Sequence, residues 1–417
     1  MNGFTRRQFL KLIGATSAFA AVPPAIRAAT TAPRVVIIGG GFGGATLAKY
    51  LRQWGGNVDV TLVDANASHY SCILSNLVVT NAIPMSRITL SYANLVSKFG
   101  VTVLKDMAVA VDPVGRTVAL AGGTVLPYDR LVLSPGIDFL PVAGWDPNLA
   151  PHAWQAGPQT TLLKNQLAAM TAGSVFVMTV PKAPYRCPPG PYERACVVAD
   201  YLKRRKPGSR VILLDANPGI IAEPHNFGNA FNTIYKDVIL YYPNATVTGF
   251  DYANKVVRTS IGDLPYGVLN YIPDQQAGKI VRDAGLATDP TGRWAPVDVL
   301  NYASTLHPDI HILGDSQAST QPKSGHMASS QAKVCADAML RAFAGGAPYP
   351  APVTNSACYS PITATTASWL TAVYQYDPVS KSMKLVPAAF GEAPAPSGDN
   401  YQDMFKWADN IFADSFM

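Results

Sequence analysis

The sequence predicts an α/β protein with two Rossmann-like domains, followed by a C-terminal α+β domain. Three features carry this prediction: a glycine-rich turn between a strand and a helix at residues 34–54, a strand–helix–strand unit at residues 174–215, and a late strand, Leu306–Asp315. Strands that alternate with helices are typical of a parallel sheet covered by helices. The 417 residues suffice for two or three domains.

The composition excludes several broad classes of protein. Apolar residues make up 48% of the chain and charged residues only 14%, against about 25% charged in an average protein, which rules out a disordered chain or a coiled coil. The net charge is +6, but no Lys/Arg run is interleaved with aromatic residues, so nucleic-acid binding is not predicted. The five cysteines show neither CxxC nor CxxCH spacing, so we predict no metal ligands and no haem site in this chain.

Residues 1–30 are predicted to be an export signal. Arg6 and Arg7 precede an apolar run, Leu12–Val22, and small residues follow around Ala28. This order is typical of a secretory signal, and the paired arginines resemble a twin-arginine signal. The run has eleven residues, whereas a membrane-spanning helix needs about 20, although an N-terminal membrane anchor remains the alternative. We therefore expect a periplasmic protein that is exported folded, with a cofactor bound.

A dinucleotide-binding motif opens the mature sequence. The strand Arg34–Ile38 is followed by a turn in which Gly39, Gly41 and Gly44 fit GxGxxG, and a helix is predicted at Ala45–Trp54. The first glycine permits a tight turn, the second lets the backbone approach a pyrophosphate, and the third allows close packing of the helix on the strand. A glycine-rich turn in an unrelated α/β protein is the alternative.

The second strand and two later segments favour FAD as the dinucleotide. Val58–Val63 ends at Asp64, near the position of an acid that binds the ribose. The place of the motif at the mature N-terminus favours FAD over NAD, and Gly314-Asp315 resembles the second FAD motif, whose acid binds ribityl or phosphate-side groups. Tyr128–Gly136 resembles the strand and turn that return the chain from an FAD domain. The predicted FAD-binding residues are therefore Gly39, Gly41, Gly44, Asp64, Gly314 and Asp315.

The second Rossmann-like domain lacks the glycine turn. A predicted strand at Ser174–Val180 leads into Pro181–Pro191, which is rich in proline. Because proline fixes φ and has no N–H donor, this loop cannot form a phosphate-binding turn. The helix Tyr192–Arg205 and the strand Arg210–Asp215 still complete a Rossmann-type repeat. We predict that the fold is kept and the NAD(P)H site is lost.

The five cysteines divide into two groups. Cys196 and Cys335 lie in predicted helices, the latter at Ser329–Phe343, and are expected to be buried packing residues. Cys72, Cys187 and Cys358 lie in non-helical segments rich in Ser, Pro, Tyr or Asn. The alternative to a catalytic or cofactor-binding role is a structural disulfide between any two of these three cysteines, because disulfides persist in an oxidising compartment.

Over essentially its whole length the chain resembles the flavoprotein subunit of flavocytochrome c sulfide dehydrogenase. The segments around Cys72 and Cys187 are the most specific part of this resemblance. The matching segments are the export signal, Gly39–Gly44, Tyr70–Asn76, Tyr185–Arg194, Ile312–Asp315, Lys323–His326, Ser330–Lys333 and Met404–Phe416.

The resemblance implies a cofactor, a partner and a mechanism. Cys72 would be bonded to the 8α-methyl group of FAD, and Cys187 and Cys358 would form a redox-active disulfide beside the flavin. Sulfide would attack this disulfide and leave a persulfide, and the freed thiolate would pass two electrons to the flavin. The acceptor would be a haem on a separate cytochrome c subunit. Glu193 would shuttle protons. An equal alternative is that its carboxylate only stabilises the N-terminus of its helix by complementing the helix dipole.

Two further expectations concern the surroundings of the cysteines. A thiolate at Cys187 or Cys358 needs a depressed pKa. The positive charge of the neighbouring Arg186 is a candidate for lowering that pKa, although it is equally plausible that the Arg186 side chain points to solvent. His326 is expected in a turn near the flavin, and the other histidines show no ligand spacing.

The predicted domain boundaries follow from these segments. The FAD-binding domain is discontinuous, and the C-terminal domain is expected at an interface. The ranges are 1–30 for the signal, 31–145 and 286–345 for the FAD-binding domain, 146–285 for the second Rossmann-like domain and 346–417 for the C-terminal domain.

Three other functions fit part of the sequence. A sulfide:quinone oxidoreductase would need an amphipathic, membrane-binding C-terminus, whereas residues 391–417 carry five acids and one lysine and are expected to be solvated or to contact a partner. The second alternative function is that of a thiol–disulfide reactivating partner of a periplasmic sulfur-oxidising complex, which would have no turnover of its own. A type II NADH dehydrogenase is disfavoured by the loop Pro181–Pro191.

Overall fold

The computed structural model describes residues 32–417, so the predicted export signal lies outside the described residues. The strands are numbered along the chain. They are β1 (Arg34–Ile38), β2 (Asp59–Asp64), β3 (Ser68–Tyr70), β4 (Thr89–Ser91), β5 (Thr102–Lys105), β6 (Ala108–Asp112), β7 (Thr117–Leu120), β8 (Val125–Pro127), β9 (Arg130–Leu133), β10 (Ile137–Phe139), β11 (Val175–Val180), β12 (Arg210–Asp215), β13 (Ile239–Pro243), β14 (Val247–Asp251), β15 (Val256–Thr259), β16 (Gly262–Pro265), β17 (Val268–Asn270), β18 (Gln275–Ala277), β19 (Ala295–Asp298), β20 (Ala303–Ser304), β21 (Ile310–Ile312), β22 (Gln317–Ala318), β23 (Val353–Pro361), β24 (Ala367–Asp377), β25 (Ser382–Leu385) and β26 (Gly391–Glu392).

The helices are numbered in the same way. They are α1 (Phe42–Gly55), α2 (Ser75–Val79), α3 (Ala93–Phe99), α4 (Pro158–Ala169), α5 (Gly190–Arg205), α6 (Pro224–Asn229), α7 (Lys279–Asp283), α8 (Gly325–Phe343) and α9 (Gly398–Phe416). Short 3-10 turns at Met85–Ile88, Gly314–Ser316 and Pro387–Ala389 and a π turn at Ala230–Ile234 complete the set. Within the described part of the chain, none of these helices combines the length and hydropathy that a membrane-spanning segment needs.

The largest sheet is assembled from two distant parts of the chain. Its order is β22-β19-β20-β21-β9-β1-β2-β5, and the strands from β21 to β5 are parallel. Side chains of β1 alternate between its faces, because Val35 and Ile37 belong to the core under α1 and α8, whereas Val36 and Ile38 belong to the core under β7. The glycine turn therefore lies at the carboxyl edge of the sheet, between β1 and α1.

A second, fully parallel sheet has the order β13-β12-β11-β17. Helix α5 packs on its strands. Cys196 in α5 and Cys335 in α8 are both fully buried among apolar side chains, as expected for packing residues. The two parallel sheets with their helices confirm the predicted α/β fold with two Rossmann-like domains.

Two predicted elements begin four residues away from their expected starts. The helix expected at Ser329–Phe343 begins earlier, at Gly325, because Ser324 Oγ accepts a hydrogen bond from Met327 N (3.1 Å) and caps the helix there. The late strand expected from Leu306 is confined to β21, because Ile310 N bonds back to His307 O (3.0 Å) in a turn.

The C-terminal residues form the antiparallel sheet β23-β24-β25, with β26 beside β24. Helix α9 follows and packs one apolar face against α1 and β24. The interpretation of the tail as a solvated terminus is wrong, because this apolar face of the helix lies in the core. The buried apolar residues of that face are Met404, Ala408, Ile411, Phe412 and Phe416.

Phe412 tests how much α9 contributes to stability. Its ring is buried 6.2 Å from the ring of Phe42 at the start of α1. We expect Phe412→Ala to lower the free energy of unfolding by about 3–5 kcal/mol, because it removes a buried aromatic ring and leaves a cavity. Urea denaturation followed by circular dichroism measures this loss. The control Val379→Ala, at an exposed position, should change stability by less than about 0.5 kcal/mol; equal losses in both variants would contradict the packing.

Candidate active site

Glycines shape the turn after β1. Gly39 has a φ of +98°, and a Cβ there would lie 2.3 Å from Ser134 O, while a Cβ on Gly44 would lie 2.0 Å from Gly39 O. Both contacts are too short for any side chain. Gly41 differs, because a Cβ there would meet only the ring of His69, at 3.5 Å. The backbone of Gly41 is therefore accessible to a group bound in the cleft that it lines.

This cleft, called the dinucleotide cleft here, has a volume of about 460 Å³. On one wall Asp64 accepts hydrogen bonds from Gly40 N (2.7 Å) and Asn66 N (2.7 Å), which tie it to the glycine turn. Gly44 supports the turn from behind. The other six residues predicted to bind or attach the cofactor line the cleft, namely Gly39, Gly41, Asp64, Cys72, Gly314 and Asp315.

Several buried polar atoms of the cleft have no hydrogen-bond partner within residues 32–417. They are Nε and Nη2 of Arg186, Oδ1 of Asp315 and Nε2 of His69. Because buried polar atoms in proteins are nearly always hydrogen-bonded, these atoms fit a ligand that offers both donors and acceptors. A flavin dinucleotide offers both in its ring, ribityl chain and pyrophosphate, so the residues present fit FAD.

A second cavity adjoins the dinucleotide cleft and is called the thiol cavity here. Its volume is about 50 Å³, and its walls include Cys72, Cys187, Cys358 and Glu193. Cys72 and Arg186 line both spaces. The structure therefore brings together the three cysteines that the sequence places in three distant segments.

The backbone at Cys187 adopts a conformation that is uncommon for residues with a side chain. Its φ is +57°. Its N–H donates to Lys323 O (2.7 Å), and its carbonyl oxygen accepts from Gly190 N (2.9 Å). Gly190 has no space for a side chain, because a Cβ would lie 2.8 Å from the ring of Trp154 and 3.0 Å from Cys187 Sγ. These contacts determine where the thiol points.

Burial dominates the acidity of the two thiols. It raises the pKa of Cys358 and that of Cys187, which Cys358 raises further and Arg186 lowers. The expectation of a depressed thiol pKa is therefore wrong for this form of the chain, in which all five cysteines are free. Arg186 does point inward, with 12% of its side chain exposed. The disulfide between Cys187 and Cys358 stays a prediction.

Glu193 lies in the first turn of α5 and lines the thiol cavity. Its Oε1 accepts a hydrogen bond from Asn76 Nδ2 (2.9 Å). Burial raises the pKa of Glu193 to about 8, and the bond from Asn76 opposes this shift. A carboxyl group with this pKa exchanges protons near neutral pH.

The sequence patterns assign no role to three buried polar residues of the site. Arg194 Nε donates to Asn76 Oδ1 (2.8 Å), and Lys323 Nζ donates to Asp315 O (2.8 Å). Arg194 thus holds Asn76, the hydrogen-bond partner of Glu193, in place. Lys323 holds the segment around Asp315, which lines the dinucleotide cleft. Asn76, Arg194 and Lys323 each lie at an end of a segment that carries the family resemblance, which is the signal that points to them.

His326 lies in the first turn of α8 and lines the thiol cavity. Its Nδ1 accepts a hydrogen bond from Ala357 N (3.0 Å), next to Cys358. Burial lowers the pKa of His326, which agrees with a neutral ring that accepts at this nitrogen. The histidine therefore ties β23, and with it Cys358, to the start of α8.

In the loop that replaces the second glycine turn, most of the backbone donors are already bonded. Its prolines have no N–H, and Cys187 N is bonded to Lys323 O. The other bonded donors are Lys182 N to Asp274 Oδ1 (2.7 Å), Ala183 N to Asn217 Oδ1 (3.1 Å) and Arg186 N to Gln275 Oε1 (2.7 Å). These contacts support the prediction that the loop does not bind a phosphate.

Asp215 occupies in the second sheet the position that Asp64 occupies in the first. It is fully buried. Its Oδ2 accepts from the hydroxyls of Tyr192 (2.8 Å) and Tyr241 (2.9 Å), and its Oδ1 accepts from Asn217 N (2.8 Å). A ribose would have to displace these donors, so the acid supports the same prediction.

Comparisons with known proteins match the same parts of the chain. The family model described as sulfide dehydrogenase (flavocytochrome c) flavoprotein chain, central, matches residues 160–273, and the flavocytochrome c sulphide dehydrogenase, flavin-binding model matches residues 350–416. Residues 33–152 match the pyridine nucleotide-disulphide oxidoreductase model. A sulfide dehydrogenase (flavocytochrome c) flavoprotein chain from Chlorobaculum thiosulfatiphilum is 51% identical over 45 residues, which are 94% of that sequence and 11% of this chain. The chain belongs to the flavocytochrome c sulfide dehydrogenase flavoprotein family.

Longer matches to this flavoprotein are more distant. The mitochondrial sulfide:quinone oxidoreductase of Dictyostelium discoideum is 22% identical over 313 residues, which cover 72% of this chain and 69% of that protein. The solved sulfide:quinone oxidoreductase of Aquifex aeolicus superposes with a TM-score of 0.75 at 18% identity over 92% of both chains, which shows a shared fold. As a member of its family, the flavoprotein is a flavin-dependent oxidoreductase that oxidises sulfide.

We predict that the flavoprotein does not accept electrons from NADH or NADPH. Most backbone donors of the loop after β11 are bonded, and the carboxylate of Asp215 already accepts hydrogen bonds from two tyrosines and Asn217, so we expect the second sheet to offer neither a phosphate site nor a ribose site. Under anaerobic conditions either nucleotide should leave the visible flavin absorbance unchanged, whereas sulfide should bleach it. Rapid bleaching by NADH would show that a nucleotide site persists.

Proposed function

We propose that this flavoprotein oxidises sulfide at a disulfide between Cys187 and Cys358 and passes the electrons through FAD, bonded to Cys72, to a c-type cytochrome subunit. One observation carries the proposal. Cys187 and Cys358 line the thiol cavity, and Cys72 lines both that cavity and the dinucleotide cleft. A cofactor bonded to Cys72 would therefore be next to the cysteine pair.

The proposed first step is a displacement at the cysteine pair. HS⁻ attacks the Sγ of one cysteine, the S–S bond breaks, and the other cysteine leaves as a thiolate. The products are one persulfide and one thiolate: the electron pair of the broken S–S bond stays on the leaving thiolate, and the sulfide sulfur becomes the outer sulfur of the persulfide. Arg186 lowers the pKa of Cys187 against the effect of burial, so its charge stabilises a thiolate at that position.

The dinucleotide cleft would hold FAD. Gly39 and Gly41 would bind its pyrophosphate, Asp64 a ribose, and Gly314 with Asp315 its ribityl or phosphate-side groups. Bound FAD supplies a two-electron acceptor for the reduced cysteine pair and a one-electron donor for a haem. A covalent bond to Cys72 would prevent loss of the cofactor in a compartment that cannot replace it.

Glu193 is proposed to take up a proton that the oxidation of HS⁻ releases. It lines the same cavity as the cysteine pair, and its pKa of about 8 lets it bind and release a proton near neutral pH. Asn76, which donates to its carboxyl group, would hold it in place in both protonation states.

The proposed acceptor is a cytochrome and not a quinone. A quinone-linked enzyme needs a surface that binds the membrane, whereas the apolar face of α9 is buried against α1 and β24. The family pairs a flavoprotein with a cytochrome. Export by the predicted signal at residues 1–30 would place the complex in the periplasm, where disulfides persist.

The first prediction of this proposal concerns Cys72. Acid precipitation of the wild-type flavoprotein should leave yellow flavin on the polypeptide, because a thioether survives unfolding. Cys72→Ser should release the flavin into the supernatant, and Cys335→Ala, which changes a packing residue, should not. Flavin that appears wholly in the wild-type supernatant would contradict the covalent bond.

The second prediction concerns the cysteine pair. Cys187→Ser and Cys358→Ser should each lower sulfide-dependent cytochrome c reduction by more than about 100-fold, because a serine cannot form the disulfide. Both variants should keep their covalent flavin. The control variants Cys196→Ala and Cys335→Ala should keep the normal rate and lose only about 1 kcal/mol of stability.

The same assay separates the alternatives. Normal rates in both serine variants would exclude the cysteine-pair mechanism. Reduction of a soluble quinone at a higher rate than cytochrome c would favour a sulfide:quinone oxidoreductase. No sulfide-dependent turnover by the purified complex would favour a thiol–disulfide reactivating partner.

A further inference from the structure

A second buried carboxyl group, Glu223, lies behind the strand that carries Cys358. Glu223 is 1% exposed and immediately precedes α6. Its side chain does not cap that helix. Instead, its Oε1 accepts a hydrogen bond from Ser360 Oγ (2.6 Å), and its Oε2 is buried without a hydrogen-bond partner within the described chain. A cap or a structural ion pair therefore does not explain this residue.

Ser360 connects Glu223 to the thiol cavity. It lies two residues after Cys358 in β23, and residues two apart on a strand point to the same face. Ser360 is fully buried, and Cys358 lines the thiol cavity. A hydroxyl can accept one proton and donate another, so Ser360 is chemically suited to carry a proton between its neighbours.

Burial disfavours the ionised form of Glu223 and raises its pKa to about 7. Among the described residues, the hydroxyl groups of Ser360 and Ser368 lower the pKa of Glu223, whereas the Glu392 carboxylate raises it. The titratable groups that interact with Glu223 are Glu193 and Cys196 of α5, Cys358 of β23 and Glu392 of β26.

The side of Glu223 away from the cysteines leads to the surface. Glu392 in β26 is partly exposed, and its Oε1 accepts from the backbone N–H of His225 (3.3 Å), whose side chain is exposed. Asn226 Nδ2 donates to Ala393 O (2.7 Å) and holds the start of α6 against β26. Glu392 Oε2 is buried without a hydrogen-bond partner among the described residues. Glu223 thus interacts electrostatically with one carboxyl group that lines the thiol cavity, Glu193, and with one that is partly exposed, Glu392.

We propose that Glu223 is a second proton carrier, which receives the proton released at the cysteine pair through Glu193 and Ser360 and passes it towards Glu392 and solvent. The inference rests on the proposed function. Oxidation of HS⁻ to sulfur in the zero oxidation state releases two electrons and one proton. The electrons go to the flavin proposed above, and the proton has to leave a buried cavity in every turnover.

The test compares Glu223→Gln with the wild-type complex. Glutamine keeps the oxygen that Ser360 donates to but cannot carry the proton. The ratio of wild-type to variant rate cancels the ionisation of sulfide, which both proteins share. Because a protonated Glu223 cannot accept a proton, this ratio should be near one well below pH 7 and about tenfold well above it. A ratio near one at every pH would overturn the proposal.

Two further variants serve as controls for this rate ratio. Glu223→Asp keeps a titrating carboxyl group and should restore most of the lost rate above pH 7. Asp263→Asn removes an exposed acid in β16 and should give a ratio near one throughout. A loss in Glu223→Asp as large as in Glu223→Gln would mean that shape, and not the proton, is what matters at this position.

An infrared measurement tests Glu223 without turnover. A protonated carboxyl band that is absent in Glu223→Gln should fade as the pH rises through about 7, and it should shift when a dithiol reduces the cysteine pair. A band that is absent from the wild type, or that does not respond to this reduction, would overturn the proposal. Wild-type complex without sulfide-dependent cytochrome reduction would overturn the proposed function, while the infrared result would still decide whether Glu223 is coupled to the cysteines.

Discussion

The loop after β11 is the constraint on which the site depends, because most of its backbone donors are bonded to other parts of the chain. Arg186 N bonds to Gln275, and Cys187 N bonds to the carbonyl oxygen of Lys323, which precedes α8 of the first sheet. A loop of the second sheet is thereby joined to the FAD-type sheet, with Cys187 at the border of the two cavities. The same bonds use the donors that a nucleotide phosphate would need. The same hydrogen bonds therefore use the donors of a nucleotide-phosphate site and hold Cys187 at the thiol cavity.

Desolvation controls the electrostatics of this border. It raises the pKa of the two thiols and of Glu193, and it lowers the pKa of Arg194 to about 9 and of Lys323 to about 8. Arg194 and Lys323 donate to amide and backbone oxygens, and in the described chain neither forms a salt bridge with a carboxylate. Because buried groups without a tight ion pair titrate closer to neutral pH, the cavity retains groups that change protonation during a reaction.

The C-terminal sheet and α9 form part of the site and of the core. Strand β23 carries Cys358 into the thiol cavity, and Trp407 of α9 lines the same cavity. Phe412 packs on Phe42, three residues after the glycine turn begins. The apolar face of α9 is therefore committed to the chain itself, which leaves its acidic residues on the outer face.

The sequence by itself determined the fold class, the glycine turn and the buried role of Cys196 and Cys335, because these depend on local residue order, on apolar periodicity and on steric limits at single positions. It also singled out the segments of Cys72, Cys187 and Cys358. Tertiary structure alone decided that these segments meet, that Arg186 points inward, and that burial raises the pKa of the thiols against the expectation from their charged neighbour. It also revealed that Asp215 is already hydrogen-bonded by two tyrosines and that the described chain gives the buried Glu223 no salt bridge. The physical reason is that the desolvation and the hydrogen-bond partners of a buried group come from residues far apart in the chain. A local sequence pattern does not specify which distant residue will lie next to a given position.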